Sequence, residues 1–135
     1  MKPDACIPGC SSQQHVPLET YRQNLHKILS HPLILAHDPR IILITTPAVD
    51  EYQLQDDHRS DGTVDKGRST ENARAYAQAA KEVGEELIAK GRQVIVCDIW
   101  AAMMARVGWR GETLLPGSLD VERNPVFTEM LYDGG

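Results

Sequence analysis

The chain has 135 residues, of which 41% are apolar and 24% are charged, and its net charge is −5. This length suits one domain, and the composition is ordinary for a soluble globular protein. Its 14 basic residues are scattered, which argues against a nucleic-acid surface. No apolar run approaches the ~20 residues of a membrane span, and residues 1–10 hold no secretory apolar core, so we expect a cytoplasmic protein.

A helix is the first element predicted, after a loop-like segment over residues 1–16. Pro17 suits a first helical position, and Pro32 ends the helix because the residue before a proline disfavours helical geometry. A further short turn is predicted over residues 33–36. The apolar stripe of the helix comprises Leu18, Tyr21, Leu25, Ile28 and Leu29.

Two continuous apolar runs predict two strands of a parallel sheet. They span residues 41–46 and 93–98. Runs without polar alternation suit strands that are covered on both faces, as in parallel sheets between helices. Between them, a helix is predicted over residues 70–90, with Ser69 as its N-cap and Gly91 at its C-terminal end. Strand, helix and strand in this order form a βαβ unit, whose crossover should be right-handed.

The remaining predictions concern burial and the connections. Residues 48–68 read as a long polar loop, and short helices are predicted near 99–107 and 126–131. Cys97, within the second strand, is expected to be a buried small apolar residue. Since both strands look interior, the sheet should belong to a wider α/β domain whose earlier strands are absent. The buried face of the long helix is predicted to hold Ala73, Tyr76, Ala77, Ala80, Val83, Leu87 and Ile88.

Common catalytic and metal motifs are absent from the sequence. The segment after Asp57 resembles a calcium loop, but Arg59 and Arg68 occupy positions that require oxygen ligands. No glycine-rich phosphate motif and no Gly-x-Ser-x-Gly elbow occurs. A thiol–imidazole pair of Cys6 or Cys10 with His15 stays open, although a proline-rich loop is the simpler interpretation.

Several segments nevertheless resemble one family closely. They match the middle of the isoamyl acetate-hydrolysing esterases, which belong to the SGNH, or GDSL, hydrolase superfamily. The resemblance covers nearly the whole chain and keeps the order and spacing of the family. The matching segments are residues 15–21, 31–33, 39–51, 73–87 and 96–100, then the stretch from Gly108-Trp109 to Tyr132-Asp133-Gly134.

This resemblance implies a fold and a domain assignment. The family fold is a flavodoxin-like three-layer α/β/α sandwich with about five parallel strands. The strands at 41–46 and 93–98 would be the fourth and fifth of these. Residues 1–135 would then form a single partial SGNH hydrolase domain that lacks the N-terminal nucleophile blocks and the final His block.

The resemblance also assigns catalytic positions. The family takes its nucleophile from a Gly-Asp-Ser block, which this sequence lacks. Asp4 matches the Asp of a Gly-x-Asn-Asp block, but Pro3 replaces the oxyanion Asn and has neither a side-chain amide nor an N–H to donate. Asp133 matches the triad acid, whereas the base His of that Asp-x-x-His block does not follow it.

By resemblance, the activity is hydrolysis of short-chain, acetate-type carboxylic esters through a Ser-His-Asp mechanism. A small ester is the implied substrate, and no cofactor, metal, nucleic acid or membrane partner is implied. Because the nucleophilic Ser, the oxyanion Asn and the base His of the family are missing, we expect this chain alone to be catalytically incomplete. Two explanations remain open. The gene model is truncated at both ends, or the chain is a non-catalytic remnant that binds or regulates a full-length relative, or associates with itself, through an exposed strand edge.

Overall fold

The computed structural model describes residues 15–58 and 68–132, and its helices and strands follow the predicted order. Among these elements, α3 is the one that the sequence does not predict. The elements are α1 (Leu18–Leu29), α2 (Pro32–His37), β1 (Ile41–Ile44), α3 (Glu51–His58), α4 (Thr70–Ala89), β2 (Val94–Cys97), α5 (Ile99–Arg106) and α6 (Pro125–Leu131).

β1 and β2 form a parallel pair, which confirms the predicted α/β class. Ile41 lies opposite Val94, and Ile44 lies opposite Cys97. Each strand is shorter than predicted, although the Thr45 N–H still bonds to the Cys97 carbonyl at 3.0 Å. Since α4 connects the two strands and packs on both, the βαβ unit is confirmed.

α4 covers one face of this sheet at close range. Its N-terminus is capped as predicted, because the Ser69 hydroxyl accepts the N–H of Asn72 at 3.1 Å. A Cβ at Gly84 would lie 2.3 Å from the Val96 side chain, so glycine permits the helix to approach the strand. The predicted buried face is confirmed except for Ile88, which is exposed. Neighbouring helical residues are rotated by about 100°, and Leu87 takes the buried position in that turn.

α1 packs beside α4 and shares its core with the sheet. The rings of Tyr21 and Tyr76 lie 5.0 Å apart, and the Tyr76 hydroxyl donates to the Val16 carbonyl. An ion pair joins Arg22 to Glu82 along the same contact. Leu29 of the predicted apolar stripe reaches the core that α4 shares with the sheet, whereas Ile28 of the same stripe is exposed to solvent.

The second face of the sheet is bare of any described element. Ile42, Ile44 and Ile95 are 65%, 58% and 62% exposed, and Cys97 is exposed beside them. Alternate residues of a strand point to opposite faces, and α4 covers the face that carries Leu43 and Val94. The expectations of double-faced coverage and of a buried Cys97 are therefore wrong within the described residues, because helices pack on one side only.

α3 replaces part of the long loop that was predicted after β1. Its sequence lacks a regular apolar stripe, which is why periodicity does not reveal it. The Asp50 carboxylate accepts the N–H of Tyr52 at 3.1 Å and so satisfies a free donor in the first turn. The Tyr52 hydroxyl donates to the Val121 carbonyl at 2.6 Å, which ties the helix to a distant loop. Tertiary contacts thus stabilise a helix that propensity alone does not indicate.

α5 and α6 build a second apolar cluster beyond the carboxyl ends of the strands. Phe127 of α6 is fully buried, and the ring of Trp100 packs edge-to-face on Trp109 with centroids 5.4 Å apart. This cluster joins the segment after β1 to the C-terminal part of the chain. Its buried members are Ala48, Ala77, Trp100, Met104, Leu115 and Phe127.

Candidate functional site

The carboxyl ends of β1 and β2 meet at one edge of the sheet, where open α/β folds place their sites. Thr45 and Asp98 stand directly after the two strands. The Thr45 hydroxyl donates to Asp98 Oδ1 at 3.3 Å and accepts the N–H of Trp100 at 3.2 Å. Asp98 Oδ1 also accepts the N–H of Ala101, which caps α5. Thr45, which is buried, therefore fixes α5 to the end of β1.

Asp98 also has a cationic neighbour on the helix between the strands. Lys81 Nζ lies 3.4 Å from Asp98 Oδ2, and both side chains are part-exposed. An ion pair with this exposure contributes little to stability, on the order of 0–1 kcal/mol. The pair keeps the carboxylate turned toward α4 and leaves Oδ1 for the cap of α5. The capping role explains Asp98 fully, so we assign it no catalytic part.

Asp50, five residues after Thr45 in the sequence, is a buried carboxylate. Its Oδ1 accepts the N–H of Tyr52, and its Oδ2 accepts the hydroxyl of Thr128 in α6 at 3.0 Å. Among the described residues, no Lys, Arg or His lies within ion-pair distance of it, and the partners described for it are neutral donors. A buried carboxylate is expensive unless hydrogen bonds satisfy it. Asp50 thus joins the segment after β1 to the last helix.

Glu51 links two further segments through its carboxylate. Oε1 accepts both the N–H and the hydroxyl of Thr70, at 2.8 and 3.0 Å, and Oε2 accepts the N–H of Leu119 at 3.3 Å. The Thr70 N–H belongs to the first turn of α4, where helix donors lack intrahelical partners. The Glu51 N–H in turn donates to the Gly117 carbonyl at 2.8 Å. Asp50 and Glu51 together join four segments at this edge: the segment after β1, the start of α4, the loop that holds Gly117 and Leu119, and α6.

α6 is fixed by its own cap and by close packing. The Asn124 side chain accepts the N–H groups of Val126 and Phe127, and Pro125 occupies the first helical position. Gly117 has a φ of +88°, and a Cβ there would lie 2.3 Å from the Phe127 ring and 2.5 Å from the Val49 carbonyl oxygen. Only glycine satisfies both constraints without strain. The loop before α6 therefore lies directly against the segment after β1.

Two open clefts flank α6. One has a volume of about 590 Å³ and lies along the helix from Pro125 onward, and the other, of about 340 Å³, lies beside Trp109. Glu112 lines the second cleft, and hydrogen bonds from backbone N–H groups, chiefly that of Arg110, hold the pKa of Glu112 below its usual range. The first cleft is lined by Glu122, Arg123, Pro125, Thr128, Glu129 and Tyr132.

The sequence-predicted catalytic residues fall mostly outside the described part of the chain. Asp133, Pro3 and Asp4 lie there, as do Cys6 and Cys10, so their assignments stay predictions. Asp133 follows α6 by two residues in the sequence. The residues that sequence reasoning missed are Asp50 and Thr128, which anchor α6, and Glu51, which joins the start of α4 to the loop before α6. The Asp-Glu pair after Pro47 and the Asn-Pro pair before α6 are the signals that point to them.

Within residues 15–58 and 68–132, no group of three or more His, Cys, Asp or Glu side chains is placed to hold a metal ion. No helix of the described chain is both long and apolar enough to cross a membrane.

Comparison with known proteins relates most of the chain to one family. The model of the GDSL-like lipase/acylhydrolase family matches residues 5–127. A GDSL esterase/lipase of Arabidopsis thaliana is 39% identical over 116 residues, which cover 84% of this chain and 46% of that protein. A GDSL esterase/lipase of Oryza sativa subsp. japonica is 34% identical over 97 residues, covering 70% of this chain and 34% of that protein.

The chain thus spans less than half the length of these relatives. No solved structure matches it. The parallel strand pair and its helices are consistent with part of a GDSL/SGNH α/β/α fold. Since the family model covers all but the ends of the sequence, the chain belongs to the GDSL-like lipase/acylhydrolase family.

Proposed function

We propose that this chain is the acid-bearing part of an enzyme that hydrolyses short-chain, acetate-type carboxylic esters, like the isoamyl acetate-hydrolysing esterases that its sequence resembles. The observation that carries the proposal is the family match over residues 5–127, which spans the sheet edge and all of α4 and α5. The arrangement of α6 supports it, because this helix is anchored at the edge and ends two positions before Asp133 in the sequence.

The proposed chemistry is nucleophilic catalysis by serine. A serine hydroxyl attacks the ester carbonyl as a histidine takes its proton, the alcohol leaves, and water then releases the acid from the acyl-enzyme. Asp133 would orient the histidine and stabilise its charged form. The sequence holds no Gly-Asp-Ser block, Pro3 stands in place of the oxyanion Asn, and no His follows Asp133. We therefore propose that the 135-residue chain has no esterase activity by itself.

The test compares the chain with a chimera. The purified chain and a chimera, in which the chain replaces the matched segment of the Arabidopsis relative, are assayed with isoamyl acetate and p-nitrophenyl acetate. We expect turnover from the chimera alone, and its loss by about 10⁴-fold in an Asp133→Asn variant. Turnover by the isolated chain, or an active chimera that does not respond to Asp133→Asn, would refute the proposal.

A second candidate function is binding to, and regulation of, a full-length relative. The bare sheet face of Ile42, Ile44, Ile95 and Cys97 favours it, since parallel sheets are normally covered on both faces. The binding surface would then be this apolar face itself, and not the exposed strand edge that the sequence suggests. Light scattering of the chain with the Arabidopsis relative should show a 1:1 complex that Ile95→Asp abolishes and Ile88→Asp, on exposed α4 surface, preserves. A monomer under all conditions would exclude this candidate.

A further inference from the structure

A cleft of about 340 Å³ lies between the turn that follows α5 and the segment that precedes α6, and we call it the Trp109 cleft. Small-molecule sites occupy roughly 300–1,000 Å³ and combine an apolar lining with a few polar groups. The apolar lining of this cleft comes from Val107, Trp109, Leu114, Pro116 and Val121. The cleft can therefore hold a ligand with a short aliphatic body.

The wall that carries Trp109 is fixed by several contacts. The ring packs edge-to-face on Trp100, and the Arg74 guanidinium lies 5.6 Å from the ring centroid. The indole N–H donates to the Glu112 carbonyl at 3.0 Å, which closes the turn around this ring. The Trp109 backbone N–H bonds to the Met104 carbonyl at 3.1 Å, which fixes the turn to the end of α5. This wall is therefore preformed, and a preformed wall lowers the entropy lost on binding.

The opposite wall is held by the rest of the fold. The Tyr52 hydroxyl donates to the Val121 carbonyl at 2.6 Å, which ties this wall to α3. Asn124 Nδ2 donates to the Val107 carbonyl at 3.5 Å and so joins the two walls. The same Asn124 side chain caps α6, so the wall is also continuous with that helix. The separation of the two walls is thus set by protein contacts and needs no ligand.

The Trp109 cleft is acidic as well as apolar. Glu112 and Glu122 line it, and the described residues that line it include no Lys, Arg or His. The Arg110 backbone N–H donates to Glu112 Oε2 at 2.7 Å. This bond chiefly, with a smaller contribution from the Arg110 charge, holds the pKa of Glu112 below its usual range, so Glu112 is ionised at neutral pH. The ion pairs of the described residues include neither glutamate, so both negative charges remain available to a ligand.

We propose that the Trp109 cleft binds a small organic ammonium ion with a short aliphatic body. The aliphatic part contacts the apolar lining, and the ammonium group lies at Glu112 and Glu122, whose charges complement its own. A neutral alcohol of the same shape gains only the apolar contacts, and a carboxylate is repelled. The inference goes beyond the proposed ester hydrolysis and is independent of it, because it invokes no catalytic residue.

The first experiment titrates the full 135-residue chain with isoamylamine, isoamyl alcohol and isovalerate, which share one carbon skeleton and are cationic, neutral and anionic at neutral pH. Binding is followed by the NMR shift of the Trp109 indole N–H, which Trp109→Phe distinguishes from that of Trp100. The amine should bind roughly tenfold tighter than the alcohol at low salt, and the preference should shrink as salt screens the exposed charges. Equal affinity of amine and alcohol, tighter binding of isovalerate, or no shift with any of the three would overturn the proposal.

The second experiment tests the part played by each carboxylate. Glu112→Gln and Glu122→Gln should each weaken amine binding roughly threefold, and the double variant should bind the amine no better than the alcohol. Retained alcohol binding shows that a variant keeps the cleft. Leu114→Ser should weaken amine and alcohol alike, because it removes apolar lining.

Glu85→Gln is the matched control, because it removes an exposed carboxylate that does not line the cleft. It should leave the affinity for the amine unchanged. An equal loss of amine binding in Glu85→Gln and Glu112→Gln would indicate general attraction to a chain of net charge −5 and would overturn the proposal. Amine binding that ignores both glutamates of the cleft would overturn it as well.

Discussion

Replacing Gly117 by alanine tests whether the loop before α6 is fixed by close contacts or by its backbone angles alone. The backbone φ of +88° strains any residue with a Cβ, by about 1–2 kcal/mol. The new Cβ would also lie 2.3 Å from the Phe127 ring and 2.5 Å from the Val49 carbonyl oxygen. Overpacking of this kind destabilises by about 1–3 kcal/mol. The free energy of unfolding should therefore fall by about 2–5 kcal/mol in total.

Gly108 provides a matched control for this substitution. Its φ is +85°, almost the same, but a Cβ there would have no heavy atom within 4 Å. Gly108→Ala should thus lose only the backbone contribution of about 1–2 kcal/mol. The difference between the two variants isolates the contact with Phe127 and Val49.

Urea unfolding followed by tryptophan fluorescence measures both free energies, because a change of midpoint at constant slope reports stability. Phe127→Leu in the Gly117→Ala background should recover part of the loss, since it removes the ring atoms nearest the new methyl group. Equal losses in Gly117→Ala and Gly108→Ala would show that the loop moves freely to accommodate the methyl group. The close approach of the loop to the segment after β1 would then not be a constraint.

Two further predictions concern the helix contacts and the strand ends. Hydrogen bonds from Gln78 and then Arg22 hold the pKa of Glu82 below its usual value of 4.5. Because the folded-state pKa is lowered, this stabilisation is present above that value and is lost as the pH falls through the folded pKa. Glu82→Gln should therefore reduce the difference in unfolding free energy between roughly pH 6 and pH 3, and an unchanged difference would contradict this assignment. Thr45→Val leaves the buried N–H of Trp100 without its acceptor and should lower the unfolding free energy by about 1–3 kcal/mol, whereas Thr45→Ser should remain near the parent in the same urea assay.

The elements with strong sequence signals are those that the structure reproduces best. Ser69 caps α4 through its hydroxyl, and the apolar positions of that helix are buried with Ile88 as the exception. These features depend on local chemistry and on a period of 3.6 residues, both of which the sequence displays. The parallel pairing of the two apolar runs also follows from their composition and from the long helical connection between them.

The sequence predicts where the candidate site lies, but not which side chains hold it together. The resemblance to a hydrolase family and the rule that sites lie at carboxyl ends of parallel strands both indicate this edge. The anchors themselves were not predicted, because Asp50 contacts Thr128 across 78 positions and Glu51 contacts Leu119 across 68. Such pairs carry no local signature, since acidic residues in a polar segment are usually solvated. Asp133 remains a prediction from the family resemblance alone.

The sequence by itself determined the α/β class, the parallel strands, the long helix and the family, because periodicity, capping residues and ordered motifs are properties of the chain read in order. The tertiary structure decided which face of the sheet is covered, that residues 51–58 form a helix, and that α6 is held by a buried carboxylate. Ile42 and Leu43 are equally apolar in sequence, yet one is exposed and the other buried. Their difference arises from which side of the sheet α4 occupies, and that depends on packing between segments distant in sequence.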